Sequence, residues 1–268
     1  MPHDMIVSLV LYAAVGACAG MLAGLLGVGG GLIIVPMLSF LFASQHLPAG
    51  AILHLALGTS LASIIFTSLS SMRAHHLRGA VEWRMVGRIT PGILAGSLFG
   101  AWVAAQLSTR LLKWFFVCFL FYVAFRMLRS AAPKAGTTVA HGVVLAVGGV
   151  IGCVSSLVGI GGGTMSVPFM LRCNVSIHSA IGTSAAIGFP IAVAGAVGYL
   201  WNGLAATRTL PYSVGYIYVP ALICISLVSM MTAPVGARLA HSLPVSRLKK
   251  IFAALLIVLG IKMLVSLM

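Results

Sequence analysis

The 268-residue sequence predicts an all-α, polytopic membrane protein of about 8–10 membrane segments, built from two inverted repeats with glycine-broken helices. Three observations predict it. The chain is 60% hydrophobic and only 7% charged, whereas soluble domains carry roughly 25% charged residues. Several stretches of about 18 or more residues hold few or no charges, the length a helix needs to span a bilayer. Finally, Gly27-Val28-Gly29-Gly30-Gly31 returns as Gly159-Ile160-Gly161-Gly162-Gly163, 132 residues later. Each copy follows a long apolar run and is followed five positions on by a proline, Pro36 or Pro168.

The apolar segments run 5–26, 30–43, 51–72, 83–106 and 111–129, then 139–158, 162–173, 178–200, 213–237 and 248–267. Met1-Pro-His-Asp lacks the basic flank of a signal peptide, so 5–26 is expected to be a retained helix. Segments 30–43 and 162–173 reach about 20 Å, short of the roughly 30 Å hydrocarbon core, and are expected to be half-helices or tilted returns. The next pair matches His54-Leu-Ala-Leu-Gly-Thr-Ser60 with His178-Ser-Ala-Ile-Gly-Thr-Ser184, 124 residues apart. Segment 83–106 carries Gly92, Gly96 and Gly100, as 5–26 carries Gly16, Gly20 and Gly24. That spacing lines small residues along one helix face for close packing. The last pair aligns Lys113 with Lys249, Phe116 with Phe252 and Arg126 with Lys262. Polar composition gathers only near 130–138. The expected division is a first repeat at 1–130, a linker at 131–138 and a second repeat at 139–268.

Basic residues orient the halves. If each half crosses an odd number of times, 12 Lys and Arg share one side and 4 the other; parallel halves would give 9 and 7. The positive-inside rule favours the inverted arrangement, with the 12 in the cytoplasm and both termini outside. This holds provided the glycine-broken segments enter and return.

The net charge of +14 is that of a membrane protein with basic loops. Its two acids, Asp4 and Glu82, lie outside the apolar segments, which argues against carboxylate-based cation transport or proton relay. An anionic solute suits such a bundle better. Glycine lets a helix unwind, and the helix that restarts presents free N–H groups at a positive dipole end, where oxyanions bind without charged side chains. Gly29, Gly30, Gly31, Gly161, Gly162 and Gly163 are therefore the expected binding residues, with the solute between the two breaks near midplane; tight helix contact is the plainer alternative. Thr59, Ser60, Thr183, Ser184 and Thr164 are expected to offer hydroxyls to the anion, where the alternative is back-bonding to the preceding helical carbonyl. His54 and His178, about one turn before the threonines, are candidates for proton coupling or for helix capping. No Lys-Ser or Lys-Thr follows either glycine cluster, the flanks are apolar helices and no acid lies about 20 residues on, which argues against a nucleotide-binding loop. The five cysteines are scattered without metal spacing. Neither a metal nor a cofactor is expected, no nucleic-acid module is visible, and no nucleophile, base and orienter set suggests an enzyme.

Gly24–Pro36 (GLLGVGGGLIIVP), Val158–Pro168 (VGIGGGTMSVP), the paired HLALGTS and HSAIGTS, and the closing GARLAHSLP of 236–244 resemble the TauE/SafE family of sulfite and organosulfonate exporter-like permeases. The resemblance covers nearly the whole chain. It implies a multi-pass permease of the bacterial inner membrane for small sulfur-containing anions. The expected partners are the anionic substrate and membrane lipid, with a homo-oligomer as an open expectation that the sequence does not decide. Export of sulfite or an organosulfonate leads; a permease for another anion, a cation or a neutral solute, or one working in uptake, is the alternative.

Overall fold

The computed structural model describes residues 2–129, 140–208, 210–240 and 245–267. Ten helices run through them: α1 (Pro2–Leu26), α2 (Gly31–Ser44), α3 (Ile52–His76), α4 (Trp83–Gln106), α5 (Thr109–Leu128), α6 (His141–Val158), α7 (Gly163–Arg172), α8 (Ile177–Gly203), α9 (Val219–Ala240) and α10 (Val245–Val265). They follow the ten apolar segments with one correction. Segment 213–237 is helical only from Val219. Before it, β1 (Ser213–Val214) and β2 (Ile217–Tyr218) form a short antiparallel ribbon. Tyr212 and Gly215 take φ angles of 60° and 54°, which a right-handed helix does not admit. The expected linker at 131–138 and the final residues of the 236–244 motif lie outside the described residues.

Six helices, α1, α3, α4, α5, α8 and α9, are long and apolar enough to cross a membrane. Among them α3 and α8 form the centre: 78% of each apolar window is buried, against 33–39% in the other four. The outer helices turn Leu98, Phe99, Trp102, Phe125, Leu227 and Met231 outward. Apolar surface on that scale fits hydrocarbon rather than water.

Contacts at glycines fix how the helices run. Gly58 faces Tyr199, Gly195 faces Leu61, Gly188 faces Ser68 and Gly182 faces His75, so α3 and α8 lie antiparallel along their length. Gly16, Gly20 and Gly24 of α1 pack in turn on Ile225, Ser229 and Ala233 of α9, which makes that pair parallel. Gly92, Gly96 and Gly100 of α4 meet Leu145, Gly149 and Cys153 of α6 in the same parallel sense. The missing Cβ atoms let the backbones touch: a Cβ on Gly96 would stand 2.8 Å from the Cα of Gly149. Packing is thus reciprocal between the halves, α1 on α9 and α6 on α4, with α5 paired to α10.

The broken helix doubles back. Gln45, just past α2, donates from Nε2 to Ser8 Oγ at 3.0 Å and to the Tyr12 hydroxyl at 2.8 Å. The end of α2 is therefore level with the opening turns of α1, and the two helices form a hairpin.

Candidate functional site

Both breaks are built the same way. Gly30 caps α2 with φ 78° and ψ −10°, and Gly162 caps α7 with φ 78° and ψ −9°. Those left-handed angles favour glycine, and a side chain would also collide: a Cβ on Gly30 would stand 2.7 Å from the carbonyl oxygen of Ala19. In this conformation the two breaks meet directly. The N–H of Gly161 donates to the carbonyl of Val28 at 3.2 Å, and a Cβ on Gly29 would lie 2.9 Å from the Cα of Gly161. The space between them, where the sequence places a solute, is filled by the glycines themselves. Among the described residues, the first-turn N–H groups of Gly31 and Leu32, and of Gly163 and Thr164, have no protein acceptor. These are the orphan donors of any helix start, here buried at the centre of the bundle.

The Gly-Thr-Ser triplets clamp this junction. Gly58 and Gly182 admit the carbonyls of Tyr216 and Ala80, in the loops before α9 and α4. Thr59 Oγ1 accepts from the N–H of Tyr218, and Thr183 Oγ1 from the N–H of Glu82, both at 2.9 Å. Ser60 Oγ donates to the carbonyl of Gly159 at 2.8 Å, and Ser184 Oγ to that of Gly27 at 2.9 Å. Each serine thus ties its own central helix to the break in the other half. Ser184 Oγ also lies 2.9 Å from Ser166 Oγ. The Thr164 hydroxyl, beside the second break, is buried without a partner.

The histidines are not brought together. His54 begins α3 and His178 begins α8, and the two helices are antiparallel, so they stand at opposite ends of the bundle. His54 is buried, with Nε2 3.0 Å from the carbonyl of Ala104 and its ring stacked on Tyr216 at 5.0 Å. Because a carbonyl only accepts, Nε2 carries the proton. Burial pushes the Tyr216 phenol upward in pKa, so the ring beside His54 is neutral. His178 is exposed.

The family model described as "Sulfite exporter TauE/SafE" matches residues 12–263. The chain belongs to the TauE/SafE family. It is 38% identical over 257 residues to a Haemophilus influenzae protein named "Probable membrane transporter protein", covering 95% of this chain and 97% of that one. A Bacillus subtilis protein with the same designation is 30% identical, covering 84% and 87%, and one from Methanocaldococcus jannaschii is 27% identical, covering 97% of each. No solved structure matches. As a TauE/SafE member the chain is a membrane transporter.

Sequence reasoning passed over Ser68 and Ser71, which line a narrow crevice beside the first break. Their signal is present in the run Thr67-Ser68-Leu69-Ser70-Ser71, four hydroxyls inside an apolar helix. Thr67 and Ser70 are used structurally, Thr67 with Ser229 at 2.6 Å and Ser70 with the carbonyl of Met230 at 2.7 Å.

Proposed function

We propose that this chain is a bacterial inner-membrane permease that moves a small oxyanion, sulfite or an organosulfonate, outward across the membrane. One observation carries the reading. Two helix starts with unpaired N–H groups meet at the bundle centre, in a chain whose only acids, Asp4 and Glu82, lie outside the spans. Such termini attract negative charge and donate to oxyanion oxygens. The family description names a sulfite exporter, and the Haemophilus influenzae relative is named a membrane transporter; both support this reading.

In this proposal the halves are inverted repeats. The antiparallel run of α3 and α8 supports that, and the 12-to-4 division of basic residues supports a cytoplasmic loop between α3 and α4. The glycine junction, held by one backbone bond and two serine tethers, parts to admit the anion. The N–H groups of Gly31, Leu32, Gly163 and Thr164 and the Thr164 hydroxyl then receive it, while Thr59, Ser60, Thr183 and Ser184 hold the breaks in register. Outward movement agrees with an inside-negative potential, which drives an anion out with about 2.3 kcal/mol per charge per 100 mV.

The test is flux from proteoliposomes loaded in turn with sulfite, methanesulfonate, sulfate and acetate. Saturable movement of sulfite or the sulfonate supports the proposal. Movement of none of these anions, with a cation or neutral solute carried instead, refutes it.

A further inference from the structure

The halves differ across the glycine junction. By the 124-residue offset that pairs His54 with His178, Leu61 and Ile64 of α3 correspond to Ala185 and Gly188 of α8. On one side of the junction, Leu61 Cδ1 lies 2.9 Å from where a Cβ of Gly195 would stand. Ile64 Cγ2 lies 3.2 Å from the same point on Gly29. Both side chains are fully buried, so that side is plugged. The other side has Ala185 and Gly188 at the equivalent places, and a crevice remains there, lined also by Gly27, Gly29, Ser68 and Ser71 and too narrow in this conformation for a water molecule.

The crevice is polar on one wall only. Ser68 and Ser71 correspond to Ala192 and Gly195 in the second half, so their hydroxyls are not a product of the repeat. Ser71 is 1% exposed and its Oγ has no partner, although it lines the crevice. Ser68 is 2% exposed and its Oγ makes only a back-bond of 3.1 Å to the carbonyl of Ile65. Native proteins leave few buried hydroxyls unpaired, and one that lines a crevice has its donor free for a ligand. One turn further along α3, His75 Nε2 is held 3.0 Å from the carbonyl of Gly24. The helix ends there with Arg73 and Arg78 exposed on either side of His75, a positive approach for an anion.

We propose that this crevice, widened when the glycine junction parts, is the anion's subsite on the side of the α3–α4 loop. Ser71 and Ser68 donate their O–H groups to the oxyanion at the level of Gly29, and Leu61 and Ile64 close the opposite side. The inference rests on the oxyanion-permease reading and adds where the solute is held and from which side it arrives.

The test uses proteoliposome efflux of sulfite and methanesulfonate. Ser71→Ala is expected to raise the half-saturation concentration about tenfold, the usual effect of losing a hydrogen bond to a charged group. Ser68→Ala is expected to have a smaller effect, because its hydroxyl already has a partner. Ser226→Ala removes a buried, partnerless hydroxyl of α9 outside the crevice and is expected to leave the value unchanged. Gly188→Ile places there the side chain that Ile64 supplies on the other side and is expected to abolish flux. A Cβ at Gly188 meets only the Gly161 carbonyl at 3.3 Å and Ser68 Cβ at 3.6 Å, so α8 admits it with a small shift. A parent protein that carries neither anion sinks the permease reading itself. A parent that carries one, with Ser71→Ala at the parent's half-saturation or matched by an equal rise in Ser226→Ala, overturns the crevice assignment alone. Ser71→Cys, made after replacing the five native cysteines, gives an independent reading. An anionic, impermeant thiosulfonate is expected to label it only from the α3–α4 side and more slowly with methanesulfonate present; labelling only from the opposite side overturns the assignment.

Discussion

Replacing Ser60 and Ser184 separately by alanine measures what the two tethers across the junction contribute, and the structure predicts unequal losses. Ser60 Oγ makes one bond, to the carbonyl of Gly159, and is fully buried. Ser184 Oγ makes two, to the carbonyl of Gly27 and to Ser166 Oγ, and is equally buried. A net intramolecular hydrogen bond contributes about 1 kcal/mol, with a further penalty for a buried acceptor left unpaired. Bonds between membrane helices average lower, about 0.6 kcal/mol, because the dispersed helices find other partners. Alanine returns about 0.5 kcal/mol through its better helix propensity. Ser60→Ala is therefore expected to destabilise by about 0.5–1 kcal/mol and Ser184→Ala by about 1.5–2 kcal/mol. Unfolding in mixed micelles of increasing sodium dodecyl sulfate, followed by fluorescence of the four tryptophans, gives both values. Equal losses, or a larger loss in Ser60→Ala, would refute the assignment of two bonds to Ser184 and one to Ser60.

Four other predictions use different readouts. Gly30→Ala is expected to destabilise more than Gly162→Ala, although both need φ near 78°, because the first meets the Ala19 backbone and the second the flexible tip of Ile191; melting temperatures in detergent check the order, and the reverse order contradicts it. Leucine at either position is expected to abolish flux with insertion intact, as judged by parallel efflux and membrane fractionation; normal efflux by both would reduce these glycines to packing residues. Single cysteines at Gly79 and at Ser242, in a background without native cysteines, are expected to react with an impermeant maleimide from the same side; labelling from opposite sides would remove the inverted-repeat proposal. Anion efflux is expected to speed up under an imposed inside-negative potassium diffusion potential; a rate indifferent to potential but lost in a His54→Gln/His178→Gln double variant would indicate electroneutral proton coupling.

Most of the fold was legible because hydropathy, charge and glycine spacing all report on one local property, whether a stretch of chain can leave water as a helix. The segments beginning at Trp83 and ending at Val158 were placed to the residue by such signals. The ribbon before α9 escaped because Tyr212-Ser213-Val214-Gly215-Tyr216-Ile217-Tyr218 is as apolar as the helix it precedes, and only the positive φ of Tyr212 and Gly215 separates them. At the site, duplication disclosed that the two glycine breaks are equivalent. It did not disclose that they touch, since contact between Gly29 and Gly161 depends on how α3 and α8 cross. Hydroxyl roles were least legible. Thr59 and Thr183 look identical to donors for a ligand, yet each accepts from a loop N–H far away in sequence. The repeat also drew attention to residues the halves share, whereas the crevice arises where they differ, at Leu61 against Ala185 and Ile64 against Gly188.

The central claim is that a small oxyanion crosses this bundle through the glycine junction. Current from proteoliposomes on a solid-supported membrane, recorded after concentration jumps of sulfite, methanesulfonate or sodium ions balanced for osmolarity, tests it most directly. The account predicts a saturable transient with the sign of moving negative charge for sulfite or methanesulfonate, absent in Gly29→Val, whose side chain would be forced against the Gly161 backbone. A transient that follows sodium alone, or an anion transient unchanged in Gly29→Val, would contradict it.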